Sequence, residues 1–135
     1  MSGRTGSCLC GGMAFEVSGD LPGLEVCWCR SCQKAQGSAF VAVLPVAEAN
    51  VVFLRGEDLL AAYPSSPGKE RLFCKVCGSP VLSRSSALPG RLRLRAGLIE
   101  GGLGVQIASH AFTGQAVDWC VVDGEAPRYD GARPS

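Results

Sequence analysis

Seven cysteines stand in three short groups: Cys8-x-Cys10, Cys27-x-Cys29-x-x-Cys32 and Cys74-x-x-Cys77. An eighth, Cys120, stands alone, and the chain has a single histidine, His110. Zinc takes thiolates at about 2.3 Å in a tetrahedron, and a C-x-C or C-x-x-C pair on a tight turn can set two sulfurs around one ion. Pairs this close are poor candidates for structural disulfides. Gly11 and Gly12 follow the first group and Gly78 follows the third, where glycine lets backbone N–H groups turn toward the sulfurs.

Counting ligands divides these residues into two sites. Cys8, Cys10, Cys74 and Cys77 supply four thiolates, which closes a structural site and ties the N-terminus to the middle of the chain. Cys27, Cys29 and Cys32 supply three, and three protein ligands with an open fourth position is the form of a catalytic zinc. Alternatively Cys120, His110 or an acidic residue completes the second site as well. Two zinc ions are therefore expected, one structural and one functional.

The rest of the composition narrows the function. With 135 residues and 14.0 kDa the chain has one domain's worth of sequence, expected over residues 6–130, with tails at 1–5 and 131–135. A net charge of +1 gives no electrostatic case for nucleic-acid binding. No apolar run approaches the ~20 residues of a membrane helix. The N-terminus lacks the apolar stretch of a secretory signal, so a cytoplasmic location is expected, where thiols stay reduced and bind metal. An exported domain with four disulfides is the competing reading.

The elements that must hold these cysteines read as short strands. Met13–Val17 alternates, and 19–23 is a turn. A helical turn over Gln33–Gln36 is ended by Gly37. Ala39–Leu44 is an apolar run stopped by Pro45, and Val51–Leu54 is short and β-branched at its start. Leu59–Tyr63 and Glu70–Phe73 flank Pro-Ser-Ser-Pro-Gly, a hairpin delivering Cys74. Arg91-Leu-Arg-Leu-Arg95 alternates strictly, arginines on one face and leucines on the other. Val105–Ile107 and Val117–Val122 are further strand candidates, and 123–135 reads as an extended tail. Many short strands with turn signals and no long amphipathic helix make an all-β domain.

The order Gly-Ser-Cys8-Leu-Cys10-Gly-Gly, then Cys27-Trp-Cys29-Arg-Ser-Cys32-Gln-Lys-Ala-Gln-Gly-Ser-Ala-Phe40, then Phe73-Cys74-Lys-Val-Cys77-Gly-Ser-Pro resembles the glutathione-dependent formaldehyde-activating enzyme family, also called the centromere protein V/GFA domain. Gly97-Leu-Ile-Glu100, His110-Ala-Phe112 and the closing Asp123-Gly-Glu-Ala-Pro127-Arg-Tyr are similar too. The resemblance implies coiled antiparallel sheets with zinc knuckles, similar to the Rab-exchange-factor chaperone fold. It implies a structural zinc at Cys8, Cys10, Cys74 and Cys77 and a functional zinc at Cys27, Cys29 and Cys32. The implied activity is that of a carbon–sulfur lyase in reverse, condensing glutathione with formaldehyde to S-hydroxymethylglutathione. The chain departs from the family's usual pattern at Trp28, where His is usual, at Gln115-Ala116, where Ser-Lys is common, and at Glu100, where Asp is usual.

Other residues have two readings each. His110 is a general base or a structural histidine bonded to backbone. The Arg91, Arg93, Arg95 face receives substrate carboxylates or is a solvated edge that discourages strand pairing. Trp28 lines the site or packs in the core, Trp119 reads as core, and Cys120 as a buried free thiol. Gln33 and Lys34 are candidates to support the triad. Two functions follow: an enzyme acting on a small thiol such as glutathione and an aldehyde, or a non-catalytic zinc module that binds a partner or a small thiol. The module reading expects a closed second site with no adjacent pocket.

Overall fold

The structure is a computed structural model and describes residues 3–134. Ten strands among the described residues form two sheets. The smaller sheet has the order β1–β2–β5, from β1 (Arg4–Ser7), β2 (Ala14–Val17) and β5 (Val51–Arg55). The larger has seven strands: β3 (Leu24–Cys27), β4 (Val41–Ala47), β6 (Leu60–Ser66), β7 (Lys69–Cys74), β8 (Pro80–Ser85), β9 (Arg91–Arg95) and β10 (Ile107–Ala111). Its order is β10–β3–β4–β9–β8–β7–β6. Every pairing is antiparallel except β10 with β3, which is parallel. The one α-helix among the described residues, α1 (Arg30–Gln36), starts earlier than the turn expected from the sequence and ends at Gly37 in the left-handed region, φ 62°. No helix of the described residues is long and apolar enough to cross a membrane.

Strand alternation puts the core on one face of the large sheet. Leu44 and Val46 of β4, Leu72 of β7, Val81 of β8, and Leu92 and Leu94 of β9 pack against Met13 with Phe15 and Val17 of the small sheet. The opposite face carries the charged residues. In register across it, Pro45 faces Arg93, Arg93 faces Ser83, and Ser83 faces Arg71, while Val43 faces Arg95. The alternation of β9 is therefore the two-faced strand expected, but its arginine face is not a sheet edge, because β4 and β8 flank it.

Four expectations are corrected. Pro45 does not stop the strand: β4 continues to Ala47, since Pro45 pairs with Arg93 beyond the last residue paired with β3 and needs no donor on that side. The strand expected at Val105–Ile107 lies instead at Ile107–Ala111. Val117–Val122 is a loop with no strand partner. Its Trp119 is 69% exposed rather than core. Residues 123–134, expected as an extended tail, bend at 124–126 and 130–132 and are docked: His110 N–H donates to Pro127 O, Tyr129 N–H to His110 O, and Phe112 N–H to Gly131 O.

Candidate metal centres and the adjoining pocket

The first cluster joins two loops. Cys8 and Cys10 follow β1, Cys74 ends β7, and Cys77 lies in the turn before β8. Their four Sγ atoms lie within 4.8 Å of one another. The Cys8–Cys10 and Cys10–Cys74 sulfur separations are 3.5 and 3.9 Å. These bracket the edge of about 3.8 Å that a tetrahedron with 2.3 Å zinc–sulfur bonds requires. The donor set and spacing fit zinc. Ser79 knits the two loops: its hydroxyl accepts from Leu9 N–H at 2.9 Å and lies 3.3 Å from Cys77 Sγ. Ser79's hydroxyl and backbone hold the Cys77 thiol down to about 5. The glycine amides divide in role. Gly12 N–H reaches Cys10 Sγ at 3.4 Å, whereas those of Gly11 and Gly78 close the turns on Cys8 O and Cys74 O.

The second cluster is built from a strand end and a helix start. Cys27 is the last residue of β3, Cys29 is the N-cap of α1, and Cys32 lies in its first turn. Cys29 Sγ accepts from Cys32 N–H at 3.4 Å, which satisfies one of the helix's free amides. The three sulfurs again lie within 4.8 Å of one another. Among the described residues no fourth Cys, His, Asp or Glu joins them, Cys120 and His110 included. The Cys32 thiol is held down to about 5, first by the Cys27 S–H that donates to it and then by Arg71. Cys27 is pushed up by the same hydrogen bond and by burial. Three soft donors in one small cluster also fit zinc.

Around this triad the side chains are fixed from behind. Gln33 is buried, and its Nε2 donates to Trp28 O at 2.6 Å and to Gln115 O at 3.0 Å. Gln115 Oε1 accepts from Arg30 N–H at 2.9 Å. The supporting role expected of Gln33 is thus its grip on the Cys-Trp-Cys turn, while Lys34 is exposed. Trp28 packs in the core with Phe40 and Ala39. Its Nε1–H donates to His110 Nδ1 at 3.0 Å. His110 thus has a side-chain partner, and it does not border the pocket beside the triad. Cys120 is half-buried against the Trp28 cluster.

Beside the triad lies a cavity of about 600 Å³, bordered by Cys27 and Cys32 and floored by Val41 and Val43 of β4. Arg91, Arg93 and Arg95 all face it, and β4 and β8 flank their strand, so the stripe is not a sheet edge. Arg95 is 5% exposed, and burial, with Arg71 nearby, pulls its pKa down to about 10, so it remains a cation at neutral pH. Arg71, which sequence reasoning passed over, reaches the triad: its Nη2 donates to Cys32 Sγ at 3.7 Å. Its only sequence signal is its place on β7, two residues from Lys69 and one from the core residue Leu72, hence on the pocket face.

A family model described as glutathione-dependent formaldehyde-activating enzyme matches residues 3–115. Among solved structures, a Rhodobacter sphaeroides protein determined by structural genomics is similar at a TM-score of 0.63 and 19% identity, over 92% of this chain and 98% of that one. At that identity the likeness is one of fold.

Proposed function

Because the chain belongs to the glutathione-dependent formaldehyde-activating enzyme family, we propose that it is a cytoplasmic, zinc-dependent enzyme that joins a small thiol to an aldehyde. Glutathione and formaldehyde are the pair the family description names. One observation carries the reading: a three-cysteine cluster with no fourth protein ligand among the described residues borders a cavity large enough for a small thiol. That combination argues against the module reading, which expects a closed site. Cys8, Cys10, Cys74 and Cys77 are assigned the structural ion, and Cys27, Cys29 and Cys32 the functional one.

Zinc at the triad would supply a position where a substrate thiol loses its proton near neutral pH. The chain's own residues do the rest. Arg71 steadies Cys32 from the pocket side. Gln33 and Gln115 fix the turn that carries the cysteines. Val41 and Val43 pack against the sulfurs and give that wall of the cavity an apolar surface. The reaction balances simply: a sulfur–carbon bond forms, the carbonyl double bond becomes single, and the thiol proton ends on the new hydroxyl. Holding thiol and aldehyde together in the cavity is the main source of rate.

The test is hydroxymethyl-thioether formation from glutathione and formaldehyde, followed by exchange NMR, with zinc-loaded protein and its Cys29→Ala variant. The wild type is expected to exceed the variant and the uncatalysed rate. Equal rates in all three overturn the proposal.

A further inference from the structure

The cavity beside the triad is far more positive than the chain as a whole. Lys69, Arg71 and Arg84 reach it from β7 and β8, Arg91, Arg93 and Arg95 from β9, and Arg133 from the C-terminal segment. Against these stands one lining carboxylate, Glu25. Glu25 is already engaged, with Oε1 2.7 Å from Arg93 Nη1 and 3.8 Å from Arg133 Nη1. Arg84 is paired with Glu70 at 3.0 Å. Lys69, Arg71, Arg91 and Arg95 have no carboxylate partner among the described residues.

These four cations are not all on a solvated rim. Arg95 is buried, with Nε and Nη1 bonded to Gln36 Oε1, Ser83 Oγ and Arg93 O. Arg71 Nη1 is buried with no hydrogen-bond partner. Lys69 is half-buried, and its ammonium is disfavoured by burial and by Arg71 beside it. Gathering unpaired cations at one place costs folding free energy through desolvation and mutual repulsion. Were the triad to hold a divalent ion on three thiolates, its net charge would be −1; Arg71, whose Nη2 reaches Cys32 Sγ, faces it, so the triad would offset one cation and leave the others.

We infer that this cavity is a subsite for a thiol that carries two or more oxyanion groups and no ammonium. The inference rests on the proposed reading only for the thiol; the charge preference comes from the cavity alone. Arginine forks and a lysine bind carboxylate or phosphate oxygens through charge-assisted hydrogen bonds. An ammonium in the same space meets positive potential and finds no free carboxylate to receive it. Glutathione carries two carboxylates but also an ammonium, so it fits this cavity less well than its N-acylated counterpart.

The experiment compares glutathione with N-acetylglutathione, and S-methylglutathione with N-acetyl-S-methylglutathione, by calorimetric titration of the full-length zinc-loaded protein. Acetylation removes only the ammonium, and S-methylation removes the thiol. Acetylation is expected to tighten binding about tenfold in both pairs, with the gain shrinking as salt is raised. No gain, or weaker binding on acetylation, overturns the inference. Lys69→Gln and Arg91→Gln, at half-buried and exposed positions, are each expected to cut the affinity of the acetylated compounds several-fold, and unchanged affinities in both variants overturn it too. Mercaptosuccinate and 2-mercaptoethyl phosphate rank carboxylate against phosphate; cysteamine binding as tightly as both overturns the inference. An acetylation gain in both pairs, with each thiol binding no tighter than its S-methyl counterpart, supports the charge preference while counting against a thiol held at the triad, so the two readings fail separately.

Discussion

The indole Nε1–H of Trp28 donates to His110 Nδ1 across 3.0 Å, and both side chains are buried. Trp28 lies between two cysteines of the triad, and His110 lies on β10, the strand that pairs in parallel with β3. The bond therefore ties the Cys-Trp-Cys turn to the sheet edge. It also fixes the imidazole as the neutral tautomer with its proton on Nε2, because a protonated Nδ1 could not accept.

Burial pushes the His110 pKa below its ordinary 6.5, and the Arg128 and Arg133 cations push the same way. The unfolded chain thus binds this proton more readily than the folded one. The stability that follows is fully present above pH 6.5 and is lost as pH falls from there toward the folded value. A single differential proton gives a slope of at most about 1.4 kcal/mol per pH unit. In His110→Asn, whose Oδ1 can take the indole proton, urea denaturation between pH 5 and 7 is expected to show a shallower slope than wild type. Equal slopes would place the acid sensitivity elsewhere.

Gly56 supports the first cluster by absence of a side chain. Its φ is 72°, and a Cβ there would lie 2.1 Å from Gly12 O, the backbone that follows Cys10. Neither the angle nor the contact can relax without moving the Cys8–Cys10 loop. Gly56→Ala is expected to cost at least about 2 kcal/mol, by strain and displacement together. Thermal denaturation checks the cost. Zinc content of the surviving folded protein checks the link to the loop, and a normal melting temperature would refute both.

Much of the site was legible because its signals are local. The three cysteine groups and the hairpin that delivers Cys74 depend on neighbours in sequence, and both stand as expected. The Arg91-to-Arg95 alternation correctly split the two faces of β9. What β9 would face was not legible, because that depends on its pairing with β4 and β8. β8 was missed since Pro80-Val-Leu-Ser-Arg-Ser85 has no regular alternation; it is a strand because two neighbours flank it. Trp119 was misplaced for the opposite reason. Residue type alone suggested burial, but the loop that carries it has no partner to bury it against.

The C-terminal segment is held by Arg133. Its Nη2 donates to Val26 O at 2.8 Å, its Nε donates to Ser109 Oγ, and its charge helps engage Glu25. Because the side chain is mostly buried, Arg133→Ala is expected to cost about 1–2 kcal/mol, chiefly the charge-assisted hydrogen bonds. Freed from Arg133, residues 128–131 should lose protection in hydrogen exchange before β10 does. Uniform protection along β10 and its partner segment would mean that the backbone pairing at Pro127, Tyr129 and Gly131 holds the segment unaided.

The two cysteine clusters should respond differently to substitution. Cys74 is fully buried and ends a strand whose neighbour Leu72 is in the main core, so its cluster and the core share one support. Cys27 and Cys29 are half-buried and border the cavity or the helix cap. A four-thiolate site binds zinc as part of folding, whereas a three-thiolate site at a cavity wall adds less to the core. Wild-type protein is expected to carry two zinc ions per chain. Cys29→Ser is expected to carry one, with a far-UV spectrum close to wild type and the remaining ion resistant to mild chelation. Cys74→Ser is expected to lose both ions and the cooperative melting transition, because unpinning β7 also moves Arg71 away from Cys32. Metal analysis of the purified variants decides it: two ions retained in Cys29→Ser would remove the triad as a metal site, and a folded, one-ion Cys74→Ser would show that the fold does not depend on the first cluster.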